Sequence, residues 1–170
     1  DTLSKPLCCL VEKYFADGLE ERQMSRLISY LSFTNVTYHG VLVSKILLES
    51  NQKEMLIACL RLVNSNEDVE RIRELINDKR WEVRLQVVLT LGRLGHKKDI
   101  DLLIEATDDL DWWVRYRAAS ALISMPGMTE QKIEKLSRTL PSQFSRDILR
   151  QVITEMQLLC FRQTTLTLSK

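Results

Sequence analysis

The sequence predicts an all-α protein made of stacked helical hairpins, and three observations carry that prediction. First, nine pairs of matching residues stand 31 positions apart: Val69 with Ile100, Ile72 with Leu103, Asp78 with Asp109, Trp81 with Trp112, Val83 with Val114, Arg84 with Arg115, Val87-Val88 with Ala118-Ala119, and Leu91 with Leu122. A fixed period between about 20 and 50 residues marks a repeat architecture, in which each unit buries its apolar face only against its neighbours. Second, apolar residues recur with the 3.6-residue period of a helix along almost the whole chain. Third, five glycines and three prolines in 170 residues are too few for a turn-rich β structure. The expected arrangement is about five antiparallel helix pairs within a single domain spanning residues 1–170.

Residues 1–35 read as N-terminal capping helices. The first runs near 3–15, with Leu7, Leu10, Val11, Tyr14 and Phe15 on one side, and Asp17-Gly18 breaks it. The second covers about 19–32 through Met24, Leu27, Ile28 and Leu31. Residues 36–127 are the repeats. Subtracting 31 maps Val87-Val88 onto Leu56-Ile57, Leu91 onto Leu60 and Leu94 onto Val63. Helices near 36–49 and 52–63 are therefore an earlier, degenerate copy of the hairpin. The two clear copies follow, with helices near 67–77 and 80–94, then near 98–107 and 111–124. Gly95 and Pro126-Gly127 stop the second helix of each, since glycine accepts the left-handed conformation of a helix C-terminus. Asp78 and Asp109 stand in the short turn inside each hairpin, where a carboxylate can cap backbone N–H groups of the next helix.

Residues 128–163 read as a C-terminal degenerate repeat. Thr129 caps a helix that runs through Ile133 and Leu136 to about 139. Pro141-Ser142 start another, to about 161, through Phe144, Ile148, Leu149, Val152, Ile153 and Met156. Thr164-Thr165-Leu166-Thr167-Leu168 alternates without a partner strand, so residues 164–170 are expected to be a frayed tail. Terminal repeats are atypical in such arrays because one face meets water.

Composition narrows the function. With 24 basic and 23 acidic residues the formal net charge is +1, and it divides as 0 over residues 1–65, −2 over 66–127 and +3 over 128–170. No segment carries the basic stripe of a nucleic-acid binder. Of the four cysteines, Cys59 sits in an apolar helical run as a core residue, and Cys8-Cys9 read as one buried and one partly exposed thiol. Their spacing fits neither a zinc site nor a disulfide scaffold, and reduced thiols point to the cytoplasm. No apolar stretch reaches the length of a membrane span. The chain starts at Asp1 with no signal peptide and reads as a mature form or as a soluble domain of a larger or membrane-linked protein.

The strings Asp78…Trp81-Glu82-Val83-Arg84…Leu91-Gly92-Arg93-Leu94-Gly95 and Asp109…Trp112-Trp113-Val114-Arg115…Ala118-Ala119…Leu122 resemble HEAT repeats. They are closest to the short HEAT-like class of phycobilisome lyase-type proteins and bacterial scaffold domains. The resemblance covers residues 66–127 and extends over 36–65. It implies a right-handed α-α superhelix, an armadillo-type α-solenoid. It also implies a structural ladder between successive repeats, with Arg84 and Arg115 as the ladder arginines and Asp78 and Asp109 as their partners. Val83, Val87, Val88 and Leu91, with Val114, Ala118, Ala119 and Leu122, fill the seam between hairpins.

A catalytic site needs convergent titratable or nucleophilic groups. His39 and His96 are the only histidines and fall in different hairpins. There is no His-Glu metal pair at helical spacing, no phosphate-cradling glycine loop and no nucleophile elbow. The reading is therefore a non-catalytic scaffold with no metal and no cofactor, whose partner is another protein. Two alternatives share the fold. One is an alkylpurine DNA glycosylase of HEAT-like type, for which Asp111, Trp112, Trp113 and Arg115 are the right residue types but the charge is wrong. The other is a pigment-lyase-like protein, which the residues do not separate from a generic scaffold. In HEAT solenoids the second helix of each hairpin lines the concave side. This places Glu82, Gln86 and Arg93, then Trp113 and Arg117, toward a partner. Trp113 stands out because it takes the place of Glu82, and an exposed Trp beside Arg is the composition of an interface hot spot. The competing reading has Trp113 lying flat on Arg117 as a local cation–π pair. The apolar stripe of the last helix is a candidate surface for self-association.

Overall fold

The structure is a computed structural model, and it describes residues 13, 23, 26–29, 41–63 and 66–168. The expected capping helices of residues 1–35 lie outside the described residues apart from those six positions, which are helical, with Ile28 buried. Among the described residues there is no strand, as the helical period requires. Helix α1 is Val41–Glu49, α2 Lys53–Leu62, α3 Val69–Glu74, α4 Trp81–Leu94, α5 Ile100–Ala106, α6 Trp112–Ser124, α7 Glu130–Thr139 and α8 Gln143–Leu168. A turn of 3-10 helix, Leu75–Asn77, closes α3, and another, Lys97–Asp99, opens α5. Among the described residues no helix is long and apolar enough to cross a membrane.

The chain divides into two compact units, Asp1–Leu94 and Gly95–Lys170. In the first, hairpins α1–α2 and α3–α4 stack as two layers, with α2 packed on α4 and α1 on α3. Polar ties join α1 to α3. The Ser44 hydroxyl donates to Asp68 Oδ2 at 2.8 Å. Arg71 Nε donates to the Leu47 carbonyl at 3.0 Å, satisfying a carbonyl in the last turn of α1. In the second unit, α5 pairs with α6, α7 with α8, and α6 packs on α8.

The repeat seam is the core. Val83, Val87, Val88 and Leu91 of α4 and Val114, Ala118, Ala119 and Leu122 of α6 are all fully buried. Burying each Val or Leu side chain stabilises the fold by about 1.5–3 kcal/mol. Leu56 and Leu60 of α2 are equally buried, which places the degenerate copy in the same register. Cys59 is buried beside them as a small core residue, and burial, aided by the charge of Asp68, pushes its thiol up to about 12. The helix stops act as expected: Gly95 takes φ +70° and Gly127 φ +87°, which a side chain at Cβ would strain.

Two features depart from the sequence reading. Helix α8 does not end near 161 but continues through Leu168, so residues 164–168 are helical and not a frayed tail. No glycine or proline follows Gln143, and a helix already nucleated gains one hydrogen bond for each residue it adds. The cap of α6 is Asp111, not Asp109. Its side chain accepts from Trp113 N at 2.9 Å from an extended backbone, while Asp109 Oδ1 accepts from Asp111 N at 2.7 Å and shapes the turn before the helix. Asp111→Ala is therefore expected to cost about 0.5–2 kcal/mol in chemical denaturation, with Asp111→Asn close to wild type. Equal loss in both variants would point to the charge of Asp111 and not to its cap.

Candidate functional site

The turns inside the hairpins are held by one device. Arg84 Nη1 donates to the Asp78 carbonyl at 2.8 Å. Thirty-one positions on, Arg115 Nη1 donates to the carbonyls of Asp109 at 2.6 Å and Leu110 at 3.0 Å. Another 31 positions on, Arg146 Nη1 donates to the carbonyls of Leu140 and of Pro141, the latter at 2.8 Å. Arg84, Arg115 and Arg146 thus each brace the turn of their own hairpin. Arg146 extends the series into a repeat where most apolar matches have been lost. Asp78 and Asp109 share a second contact. Each carboxylate accepts the backbone N–H two residues on, Arg80 N at 2.8 Å and Asp111 N at 2.7 Å. Asp78 also pairs with the Arg80 guanidinium at 2.6 Å. The hydrogen bond from Arg80 holds the Asp78 carboxyl below its usual range, against the opposing effect of burial.

In α4, all three residues expected to face a partner are engaged with α2. Lys53 Nζ lies 2.9 Å from Glu82 Oε1, an ion pair that draws the Glu82 carboxyl below its ordinary value. Gln86 is buried and accepts from Arg61 Nε at 3.3 Å. Arg93 Nη2 donates to the carbonyls of Leu60 at 3.0 Å and Val63 at 2.5 Å, closing the C-terminal end of α2. The Thr90 hydroxyl, fully buried one turn below Arg93, reaches the same Leu60 carbonyl at 2.9 Å. This row ties neighbouring second helices together. Buried polar groups need partners, and α2 supplies them.

In α6 the same row carries a different surface. Trp113 is 52% exposed, and its ring meets that of Trp112 edge-on, 4.8 Å between centroids. Trp112 stacks on Tyr116 at 5.2 Å with 19° between the planes. The aromatic partner of Arg117 is Tyr116, over whose ring the guanidinium sits at 5.7 Å. The Tyr116 hydroxyl donates to Glu155 Oε2 on α8 at 2.7 Å, and Gln151 Nε2 donates to Glu155 Oε1 at 2.9 Å. The bond from Tyr116 lowers the Glu155 carboxyl and, in turn, raises the Tyr116 phenol. Two aromatic–aromatic contacts, an Arg–aromatic contact and a cross-helix hydrogen bond therefore fix a partly exposed aromatic array. Such an array offers large apolar area at low entropic cost on binding.

Sequence reasoning singled out Trp113 and Arg117 but missed Tyr116 and Glu155. Tyr116 falls where the preceding repeat has Leu85, so the period gave no signal for it. Glu155 belongs to the degenerate repeat. Among the described residues no group of three or more His, Cys, Asp and Glu is placed to hold a metal ion.

Residues 45–123 match the family model of HEAT repeats. No curated protein matches the chain. The match begins inside α1, so the copy found by subtracting 31 is part of the array, and it ends one residue short of the end of α6. The common period, the buried seam and the match agree over residues 45–123, where the chain is similar to HEAT repeats.

Proposed function

We propose that the chain is a non-catalytic protein-interaction module, acting in the cytoplasm without a cofactor, and that its partner docks on the α6 face around Trp113 and Arg117. The observation that carries this reading is the half-exposed Trp113 set against Trp112, with Tyr116 and Arg117 one turn away. Interface hot spots are rich in Trp, Tyr and Arg and lie where rigid side chains lose little freedom on binding. Glu82, Gln86 and Arg93 act in this reading as the supports that set α4 against α2. The Asp–Arg pairs Asp78 with Arg84 and Asp109 with Arg115 act as structural ladder residues. The test is affinity capture with the full chain, followed by titration of the captured protein against wild type, Trp113→Ala and Arg117→Ala. Loss of affinity in both variants with an unchanged melting profile supports the site; unchanged affinity removes it.

Self-association is the second reading, supported by Met156, Leu158 and Leu159 of α8, each more than two-fifths exposed. Large exposed apolar patches commonly mark interfaces. Light scattering is expected to show mass increasing with concentration, and Leu158→Glu to abolish it. A monomer throughout would remove this reading and leave the α6 site untouched.

A further inference from the structure

The two best-matched hairpins use the same turn with opposite charge. Asn77-Asp78-Lys79-Arg80 carries net +1, whereas Asp108-Asp109-Leu110-Asp111, 31 positions on, carries net −3. The backbone work is alike in both: an arginine braces the carbonyl of Asp78 or of Asp109, and that Asp accepts the N–H two residues on. The fold therefore asks for neither Asp108 nor Leu110. Leu110 is nonetheless an apolar side chain that is 97% exposed. It rims an open cleft of about 740 Å³ whose other wall is Pro141, Ser142 and Phe144, the start of the next hairpin turn. Phe144 is 66% exposed, and the Arg115 guanidinium, 5.2 Å from its ring centroid, holds it in place. The Ser142 hydroxyl donates to Asp108, joining the two walls. Asp108, whose carboxylate accepts from the neutral Ser142 hydroxyl, lines the cleft with Asp109 and with Arg115, the one basic residue among them. The acidity extends along α5: residues 99–111 hold six carboxylates and no basic residue.

The geometry points to a docking cleft for a basic peptide segment with an apolar anchor, whose aliphatic or aromatic side chain sits between Leu110 and Phe144 while flanking Lys or Arg side chains face Asp108 and the acidic turn around it. Charge complementarity selects this occupant, because an acidic or neutral segment would leave those carboxylates facing like charge or no charge at all. The cleft lies on the hairpin turns and, although Arg115 of α6 lines it, shares no residue with the Trp113 and Arg117 face proposed above.

The probe is a fluorescein-labelled peptide in which one leucine is flanked by lysines, titrated into the full chain by anisotropy. It is expected to bind roughly tenfold more tightly than the same peptide with serine for leucine, or with glutamate for lysine. Binding should weaken as ionic strength rises, since the rim charges are exposed. Leu110→Lys, which installs the residue that the preceding repeat tolerates as Lys79, is expected to lower affinity about tenfold with the melting profile retained. Asp108→Asn should reduce the preference for lysine over glutamate. Amide shifts on adding the peptide should fall in residues 108–115 and 141–146, and Trp113→Ala should leave binding within about twofold. The proposal is overturned if the control peptides bind equally, if Leu110→Lys binds as wild type, if the shifts lie elsewhere, or if Trp113→Ala abolishes binding. Self-association that disappears in Leu110→Lys would place a second copy in the cleft and would overturn it as well.

Discussion

Leu122→Ala is expected to lower the stability of the chain by about 2–5 kcal/mol, the largest loss of any single substitution considered for this protein. Leu122 is completely buried on α6, which packs on both α5 and α8. Removing its isobutyl group takes away the transfer free energy and leaves a cavity that two packed interfaces cannot easily close. Val87, equally buried on α4, loses fewer carbons in Val87→Ala, and about 1–3 kcal/mol is expected there. Asp109→Ala removes, among its contacts, the hydrogen bond it accepts from Asp111 N, and should cost about 0.5–2 kcal/mol. Urea denaturation with an unchanged slope gives all three values. If Asp109→Ala were the most damaging, the seam would not be the core, and the turns would govern stability.

That ranking reflects what was legible in the sequence. Seam positions were readable because burial in a stacked hairpin demands an apolar side chain at a fixed phase. Val83 and Val114, 31 apart, are both fully buried as the period requires. Turn chemistry was readable only where it repeats. Arg80 occupies the place of Asp111, so the period concealed the true cap of α6 and credited Asp109 with it. Arg146 was hidden for the opposite reason. The 31-residue offset does place it in line with Arg84 and Arg115, but Val114 becomes Ser145 and Trp112 becomes Gln143, and with so few matches residues 128–163 read only as a degenerate repeat. The bonds of Arg146 to the Leu140 and Pro141 carbonyls show that the turn geometry outlasts the apolar pattern.

The surface was the least legible part. A position one step off a buried row need not face solvent when its side chain is long. Gln86 sits on such a row yet is buried through its contact with Arg61, a reach that no periodicity encodes. The alternation at 164–168 misled for a related reason. Thr-Leu alternation is a strand pattern only where a neighbouring strand can pair with it, and a preceding helix with no breaker simply propagates.

Trp113→Ala is expected to weaken partner binding by about 2 kcal/mol or more, the loss typical of a central aromatic anchor. Its cost to folding should be far smaller. The side chain is half-exposed, and its contact with Trp112 is one edge-on aromatic pair, about 0.5–1.5 kcal/mol. The alternative in which Trp113 exists to lie flat on Arg117 loses its premise, because that guanidinium sits over Tyr116 and Trp113 meets Trp112. Trp112 has a structural reason to be aromatic, stacking on Tyr116 and recurring as Trp81 in the preceding repeat. Trp113 has no such counterpart, since the same position there is Glu82, which pairs with Lys53. A Trp113→Phe variant keeps an aromatic edge against Trp112 while reducing the exposed area, so it should restore most of the stability and only part of the affinity. Calorimetric titration of the captured partner beside thermal melts of each variant separates the two effects. Should Trp113→Ala unfold the chain, or should it bind the partner as tightly as wild type, the ring is a structural element and the α6 face loses its anchor.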